Sequence, residues 1–388
     1  MLCQWNCLPF PVFIGIAHAP PSTAQEVMVL ACTLLFLAAV ATAGASEVTQ
    51  SAKLPVFFFH GATGNRTNAA LIGANLTAEG RTYVALDFCE KACSVRTAIS
   101  EQVQMAIKQV RDVISRDAAT YANGYHFLAH SQGGSIARGV IEEMDDHNVH
   151  SFISMAGDGN GNFFGPQPSE AASLQVMLQA LGPYAIDASY FNFTKYEDDP
   201  ASWKGKFQRD FVELVTTNKE LQAKNSIANT LNPPLERIAL KNWLDINPFL
   251  PKVNNLQDCG SDSTCVTNQA RRKSNFVKLK AAHFLASPQD DLQAPWQTCV
   301  LGKYSTVASL DEIETKFSDF KVVDMKQTAE YADDLYGLKT LDIAGGLHLH
   351  VVPGVPHNCW LFDYTSLATK VPCKHDPVYD AEVYPLLV

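Results

Sequence analysis

Four short apolar runs constrain the fold of this chain more than any other feature. Each is continuously apolar and does not alternate with polar residues: Leu54–Phe59, Thr82–Phe88, His126–Ala129 and Ser151–Met155. Strands that are buried on both faces of a parallel sheet have this pattern. Helix-like stretches at Val95–Val113 and Gly134–Met144 lie between the runs. The alternation predicts a doubly wound, mostly parallel α/β sheet.

Two more apolar runs, Phe276–Leu285 and Leu347–Val352, predict further strands near the C-terminus. From about residue 160 to 275 the alternation stops, and prolines separate helix-like pieces such as Glu170–Leu181 and Lys206–Thr216. We interpret this segment as a helical, lid-like insertion over the carboxyl edge of the sheet. The expected organisation is a single catalytic domain over residues 46–388.

Composition excludes two classes of protein. The 388 residues include 30 Lys+Arg and 40 Asp+Glu, and 47% are hydrophobic. That apolar fraction can bury a large core, which excludes wholesale disorder. The net charge of −10 and the lack of a long basic block make nucleic acid an unexpected partner.

The first 45 residues have the composition of a targeting segment. An apolar run at Val29–Val40 precedes small residues at Ala41–Ala45, the order found in secretory signal peptides. Met28 stands directly before this run, and we expect it to be the working start. An uncleaved signal anchor is the alternative, because no Lys or Arg precedes Lys53. Residues 1–45 therefore predict an extension with a signal peptide, entry into the secretory pathway, and no stable membrane span after cleavage.

The cysteines agree with an oxidising compartment. Beyond residue 45 the short separations favour three local disulfides and leave Cys299 free: Cys89/Cys93, Cys259/Cys265 and Cys359/Cys373. Spacing alone does not fix the pairing. A zinc site is the competing interpretation, and the lack of any CxxC pair disfavours it.

The segment from Ala129 to Gly134, with the sequence AHSQGG, follows an apolar run and precedes a helix-like stretch. This is the context of a nucleophile elbow, a tight turn that exposes a serine hydroxyl. We therefore expect Ser131 to be a nucleophile. Small residues are needed two positions before and after it; Gly133 satisfies this, and Ala129 adds one methyl group where glycine is usual.

An early His-Gly turn, His60-Gly61, ends the first run and precedes Ala62. In acyl-transfer enzymes of this fold such a turn supplies one backbone N–H to the oxyanion hole, and the residue after the nucleophile supplies the other. The N–H groups of Ala62 and Gln132 are therefore the expected donors.

The acid and the base should follow the serine in the order Ser, Asp, His. Asp290 is our choice of acid, with Asp291 as its close rival and Asp158 as a further candidate. His357, in a turn-rich loop, is our choice of base. The other histidines after Asp290 are His348, His350 and His375. The spacing of His348 and His350 puts both on one strand face, where we expect a structural role and no metal. The start of a calcium-type loop at Asp158 lacks its required glycine, so no metal is expected there either.

At these residues the chain resembles the palmitoyl-protein thioesterases, and within them the lysosomal second branch. The resemblance rests on the Ser-Gln-Gly-Gly elbow, on Met144–Ser154, on Pro288 with Asp290 before Pro295-Trp296, and on Tyr336–Leu341 with His357. It extends from about residue 55 to 360 and is poor across 163–275. It implies an α/β-hydrolase fold, with Asp290 as the acid six residues before the tryptophan.

The resemblance also implies hydrolysis of long-chain S-acyl thioesters, such as S-acylated proteins and peptides or acyl-CoA, in a lysosomal or vacuolar lumen or after secretion. No cofactor is expected. The alternatives are an oxygen-ester lipase or carboxylesterase of the same fold, and a non-catalytic hydrolase-fold binding protein. Candidates for the acyl groove are Phe163, Phe164, Met177 and Leu181. Of three glycosylation sequons, that at Asn65 lies in the oxyanion loop, so Asn75 and Asn192 are the expected sites.

Overall fold

A computed structural model of the chain describes residues 53–170, 191, 196 and 203–387. The predicted signal segment, with Met28, lies outside these residues. The described strands are β1 (Val56–Phe59), β2 (Tyr83–Ala85), β3 (Tyr125–His130), β4 (Val149–Met155), β5 (Ala281–Ala286), β6 (Lys303–Tyr304), β7 (Val322–Val323), β8 (Leu347–Val351), β9 (Tyr364–Thr365) and β10 (Pro372–Cys373).

Six strands form one sheet in the order β2-β1-β3-β4-β5-β8, and all of its neighbours pair in parallel. The other strands form two small antiparallel pairs, β6 with β7 and β9 with β10. The predicted parallel α/β sheet is confirmed.

Helices occupy the connections between the strands. They are α1 (Ala70–Ala78), α2 (Cys93–Arg96), α3 (Ile99–Arg116), α4 (Ala118–Tyr121), α5 (Gln132–Glu143), α6 (Trp203–Thr217), α7 (Lys219–Lys224), α8 (Ser226–Thr230), α9 (Lys241–Ile246), α10 (Leu250–Val253), α11 (Ser263–Phe276), α12 (Leu310–Thr315), α13 (Ala329–Ala332), α14 (Leu338–Ile343) and α15 (His375–Val378). Helices α6–α11 lie between β4 and β5, so the chain carries the expected helical insertion.

The sheet is covered on both faces, as the continuous apolar runs predicted. In β1, Phe57 belongs to a core cluster with Val103 of α3, whereas Phe58 belongs to a second cluster with Ile72 of α1. Tyr379, from the C-terminal segment, also packs in the second cluster. Because successive strand residues point to opposite faces, each face acquires its own core.

The strand boundaries shift by a few residues, as where Thr82–Phe88 is observed as Tyr83–Ala85, and the largest shift is at Phe276. Phe276 does not begin a strand; it ends α11, and its ring packs against Tyr336 at 5.3 Å. Strand β5 begins at Ala281. The apolar run combines the buried end of a helix with the start of a strand, and hydrophobicity alone does not separate the two.

The three local disulfides are present and Cys299 is free and fully buried; the bridges join Cys89 to Cys93, Cys259 to Cys265, and Cys359 to Cys373. Among the helices that the structure describes, none is long and apolar enough to cross a bilayer.

Candidate active site

Ser131 occupies a strained turn between β3 and α5. Its φ is +56° and its ψ is −134°, a region that residues with a Cβ rarely adopt. Its N–H donates to the carbonyl of Met155 at 3.0 Å, and its own carbonyl accepts the N–H of Gly134 at 2.8 Å. These two bonds hold the turn in the form expected of a nucleophile elbow.

Two glycines allow the backbone to close around this serine. A Cβ on Gly133 would lie 2.3 Å from the carbonyl oxygen of Phe59, which has no room to move. A Cβ on Gly61 would lie 2.8 Å from the Cβ of Ser131, so only glycine lets the first loop come this close. Ala129 is fully buried within β3, and its extra methyl group is accommodated.

The imidazole of His357 is held by Asp290. Its Nδ1 lies 3.0 Å from Oδ2 and 3.1 Å from Oδ1 of the carboxylate. Oδ1 of Asp290 also accepts the N–H groups of Leu292, at 2.9 Å, and Gln293, at 2.8 Å. With a proton on Nδ1 facing the carboxylate, Nε2 is the ring nitrogen that can take up a proton.

The two rival acids make other contacts. Oδ1 of Asp291 accepts the backbone N–H of His357 at 3.1 Å, so this residue holds the main chain beside the ring. Oδ1 of Asp158 accepts the hydroxyl of Ser135 at 2.6 Å. The structure therefore brings Asp290 to the imidazole and Asp291 to the main chain of His357. Asp158 lies on another part of the cleft wall.

Nearby charges raise the pKa of the His357 imidazole. Burial opposes the charged form of His357, but Asp290, followed by Asp291 and Asp158, outweighs it, so the pKa of His357 is raised above its usual value. Next to it, burial and then the proximity of His357 lower the pKa of His130 to about 3. His130 is therefore neutral, and its Nε2 donates to the carbonyl of His357 at 2.8 Å.

A cleft of about 290 Å³ joins these groups. Ser131, His357, Ala62 and Gln132 all line it, so both expected oxyanion donors lie on the wall that carries the serine. Apolar side chains form another part of its lining: Phe164, Phe211, Ile227, Leu231, Leu361 and Leu367.

The candidate groove residues have different positions. Phe164 lines the cleft. Phe163 instead packs against Tyr304, at 5.6 Å, and Phe320, at 5.5 Å, so it contributes to the core. Met177 and Leu181 lie outside the residues that the structure describes.

Two contributors were not predicted from the sequence. His130 was visible within the elbow motif, but its bond to His357 spans 227 positions and has no local signal. The segment after His357, closed by the Cys359–Cys373 disulfide, adds Leu361 and Leu367 to the cleft; apolar residues in a loop gave no indication of this.

The remaining candidates lie away from the cleft. His348 and His350 contact His283 on the neighbouring strand, and His375 is buried with its Nδ1 3.3 Å from the carbonyl oxygen of Cys359. Within the described part of the chain, no group of three or more His, Cys, Asp or Glu side chains is arranged to hold a metal ion. Asn75 is exposed on α1, whereas Asn192 lies outside the described residues.

The sequence of this chain is similar to the sequences of known proteins. A family model described as palmitoyl protein thioesterase matches residues 55–357. The lysosomal thioesterase PPT2-B of Xenopus laevis is 28% identical over 61% of this chain and 64% of its own length, slightly less than two thirds. The lysosomal thioesterase PPT2 of Homo sapiens is 26% identical over 76% of this chain and 79% of its own length.

A solved structure of a lipase-esterase related protein from Clostridium acetobutylicum aligns with 11% identity over 80% of this chain and 90% of that one, at a TM-score of 0.35. The family match includes the first strand, the elbow, the acid loop and His357. The chain therefore belongs to the palmitoyl protein thioesterase family of thioester hydrolases.

Proposed function

We propose that this protein is a serine thioesterase that hydrolyses long-chain S-acyl thioesters of S-acylated proteins or peptides, or of acyl-CoA. The observation that carries the proposal is the cleft that joins Ser131, the Asp290–His357 pair and an apolar wall. The names of the curated relatives and the family match support the thioester class.

In the proposed reaction, Ser131 Oγ attacks the thioester carbonyl carbon while Nε2 of His357 takes the hydroxyl proton. The N–H groups of Ala62 and Gln132 receive the oxyanion. Collapse of the intermediate breaks the carbon–sulfur bond, and the sulfur takes the proton from Nε2 of His357 and leaves as the thiol. Water then attacks the acyl-enzyme, His357 takes its proton and returns it to Ser131, and the fatty acid is released.

Apolar side chains on the cleft wall support a long acyl chain as the bound group. Phe164 and Phe211 line it, and burial of each methylene against such a surface is worth about 0.8 kcal/mol. An oxygen-ester lipase or carboxylesterase with the same residues is the second candidate, because the nucleophile and base do not distinguish the two leaving groups.

We also propose that the protein acts in the lumen of the secretory pathway, in a lysosome or vacuole, or after secretion. The three disulfides and the lysosomal names of the relatives support an oxidising or lumenal location. The exposed Asn75 is the proposed glycan site within the described residues. The domain is proposed to run from residue 46 to 388 with its insertion at about 160–275.

The test is turnover of palmitoyl-CoA together with covalent labelling by a fluorophosphonate. We expect the wild type to be labelled and active, and Ser131→Ala to lose both. Asp290→Asn and His357→Ala should each lower kcat by a factor of about 10³ or more while the thermal melting curve stays cooperative. Full activity in Asp290→Asn, with loss in Asp158→Asn, would contradict the acid assignment; unlabelled wild type would favour a non-catalytic binding protein.

A further inference from the structure

A buried serine, Ser94, holds the loop that carries Ala62. Ser94 is fully buried in the one-turn helix α2. Its Oγ accepts the backbone N–H of Thr63 at 2.8 Å and donates to the carbonyl of Lys91 at 2.6 Å. Thr63 directly follows Ala62, so this bond fixes the peptide next to one expected oxyanion donor.

The same serine supports the other expected donor. The carbonyl of Ser94 accepts Nε2 of Gln132 at 2.9 Å and Nε2 of Gln102 at 2.8 Å. Oε1 of Gln132 in turn accepts the hydroxyl of Ser226 at 2.6 Å. Both Nε2 and Oε1 of the Gln132 amide group are thus held, which fixes the residue whose N–H is the second expected donor.

The Cys89–Cys93 disulfide supports the position of Ser94. Cys89 and Cys93 close a five-residue loop directly before Ser94. Within it, Lys91 donates its N–H to the carbonyl of Gly64 at 2.7 Å, and the carbonyl of Lys91 accepts the N–H of Ser94 at 3.1 Å. Cys89 and Lys91 both have positive φ, at 45° and 57°, a conformation that a closed loop can maintain.

We propose that Ser94, backed by the Cys89–Cys93 disulfide, is the positioning residue of the oxyanion hole. The inference rests on the proposed function, because it assumes Ala62 and Gln132 as donors. Ser94 does not line the cleft; its hydroxyl holds the Thr63 peptide, and its backbone carbonyl holds the Gln132 side chain. The sequence analysis did not single out Ser94, since a lone Ser after a cysteine has no recognisable pattern.

Such a support affects the transition state more than the bound substrate. Oxyanion donors act at 2.7–3.1 Å from a charge that develops only during reaction, and removal of one donor costs about 10²–10³ in kcat. Loss of a support that aims the donors should cost less than loss of a donor itself. Because the ground-state carbonyl carries little charge, KM should barely change.

The first test is Ser94→Ala in the full chain, assayed with palmitoyl-CoA. We expect kcat to fall about tenfold or more, with KM within about twofold of the wild type. Cys89→Ala/Cys93→Ala should lower kcat in the same direction. The matched control is Ser151→Ala, another buried serine, near the start of β4 and far from the cleft, whose hydroxyl meets His150 at 2.9 Å; its kcat should match the wild type.

The second test separates positioning from general damage. A palmityl trifluoromethyl ketone forms a tetrahedral oxyanion adduct with the serine, whereas a palmityl thioether of the same length has no carbonyl. Ser94→Ala should weaken binding of the ketone about tenfold and leave the thioether unchanged. Equal loss for both ligands, or unchanged kcat in both variants, would overturn the proposal.

Failure of the proposed function gives a different result. If the wild type cleaves oxygen esters and not thioesters, the substrate class is wrong, but the ketone comparison and the rate of fluorophosphonate labelling still report on the hole. If Ser94→Ala does not fold, Ser94→Thr, which keeps the hydroxyl, and the cysteine pair provide the measurement. If the folded cysteine variant then binds the ketone as tightly as the wild type, the proposed role of the disulfide is contradicted.

Discussion

At the residue scale, two carboxylates hold His357 through different nitrogens, the ring Nδ1 and the backbone N–H. Asp290 bonds the ring and Asp291 bonds the main chain of the same residue. Two adjacent aspartates therefore hold one residue, the first through its ring and the second through its main chain. The sequence analysis chose Asp290 as the acid with Asp291 as its rival, and it did not predict that Asp291 would bond the main chain of His357, because that bond depends on how the loop turns back towards the ring.

The raised pKa of His357 predicts a pH dependence. Catalysis requires a neutral imidazole, so acidification removes activity as His357 gains a proton. Because Asp290, Asp291 and Asp158 raise this pKa against the opposing effect of burial, the acid limb of kcat/KM should lie above the usual histidine value of about 6.5. The measurement is kcat/KM for palmitoyl-CoA from pH 4.5 to 8.5.

Asp158→Asn serves as the matched variant in the same profile. It retains an oxygen for the bond from Ser135 and removes one negative charge near the imidazole. The limb should therefore move to lower pH. A limb below pH 6.5 in the wild type, or one that moves upward in the variant, would contradict the electrostatic account.

At the element scale, the segment after β4 presents neighbouring aromatic rings to different surroundings. Phe164 lines the cleft, near Phe211 of α6, while Phe163 is packed between Tyr304 and Phe320. Adjacent positions in an extended segment point in opposite directions. The sequence identified both rings as apolar but could not say which faced the substrate.

This difference predicts opposite phenotypes. Phe164→Ala should raise KM for palmitoyl-CoA about tenfold and leave butyryl-CoA almost unchanged, because only the long chain reaches the lost ring. Phe163→Ala should instead lower the free energy of unfolding by about 3 kcal/mol, with KM unchanged for the folded enzyme. Urea denaturation and an acyl-CoA chain-length series measure the two effects; a KM change in Phe163→Ala alone would reverse the assignment.

The elements that could be predicted were those with local signals. Continuous apolar runs predicted the strands, the AHSQGG turn predicted the elbow, and short separations favoured the disulfides that are observed. Contacts between distant elements could not be predicted in this way. The bond from His130 to His357 and the links from Ser94 to Thr63 and Gln132 depend on tertiary packing, which no periodicity reports.

At the scale of the whole molecule, histidines of neighbouring strands contact one another across the sheet. Nδ1 of His283 lies 3.2 Å from Nε2 of His350, and its ring stacks on His348 at 4.6 Å. On β3 and β4, the rings of His126 and His150 are 5.6 Å apart. Burial, and then neighbouring histidines, lower the pKa of His126 to about 3 and of His283 to about 4.

These lowered pKa values predict a loss of stability in acid. The unfolded chain binds protons at pH 6.5 and the folded histidines do not, so folding weakens as pH falls from about 6.5 towards 4. The buried Glu142 acts in the opposite sense, because burial raises its pKa to about 7 despite Arg138. The wild-type profile therefore combines both signs, and a variant is needed to separate them.

His283→Asn isolates the histidine contribution. After allowance for partial exposure of the ring, the variant should lose about 1 kcal/mol less than the wild type between pH 7.5 and 5. Urea denaturation at the two pH values measures this difference. Equal losses in the two proteins would mean that the surroundings of His283 do not oppose its protonation.

The central claim, that the cleft serves a thioesterase, is tested most directly by one rate comparison. Palmitoyl thioester and palmitoyl oxygen ester substrates with otherwise identical leaving groups are hydrolysed by the wild type, with Ser131→Ala as the blank. We expect kcat/KM to be at least about tenfold higher for the thioester after correction for the uncatalysed rates. Equal or faster cleavage of the oxygen ester would contradict it and assign the same site to a lipase or carboxylesterase.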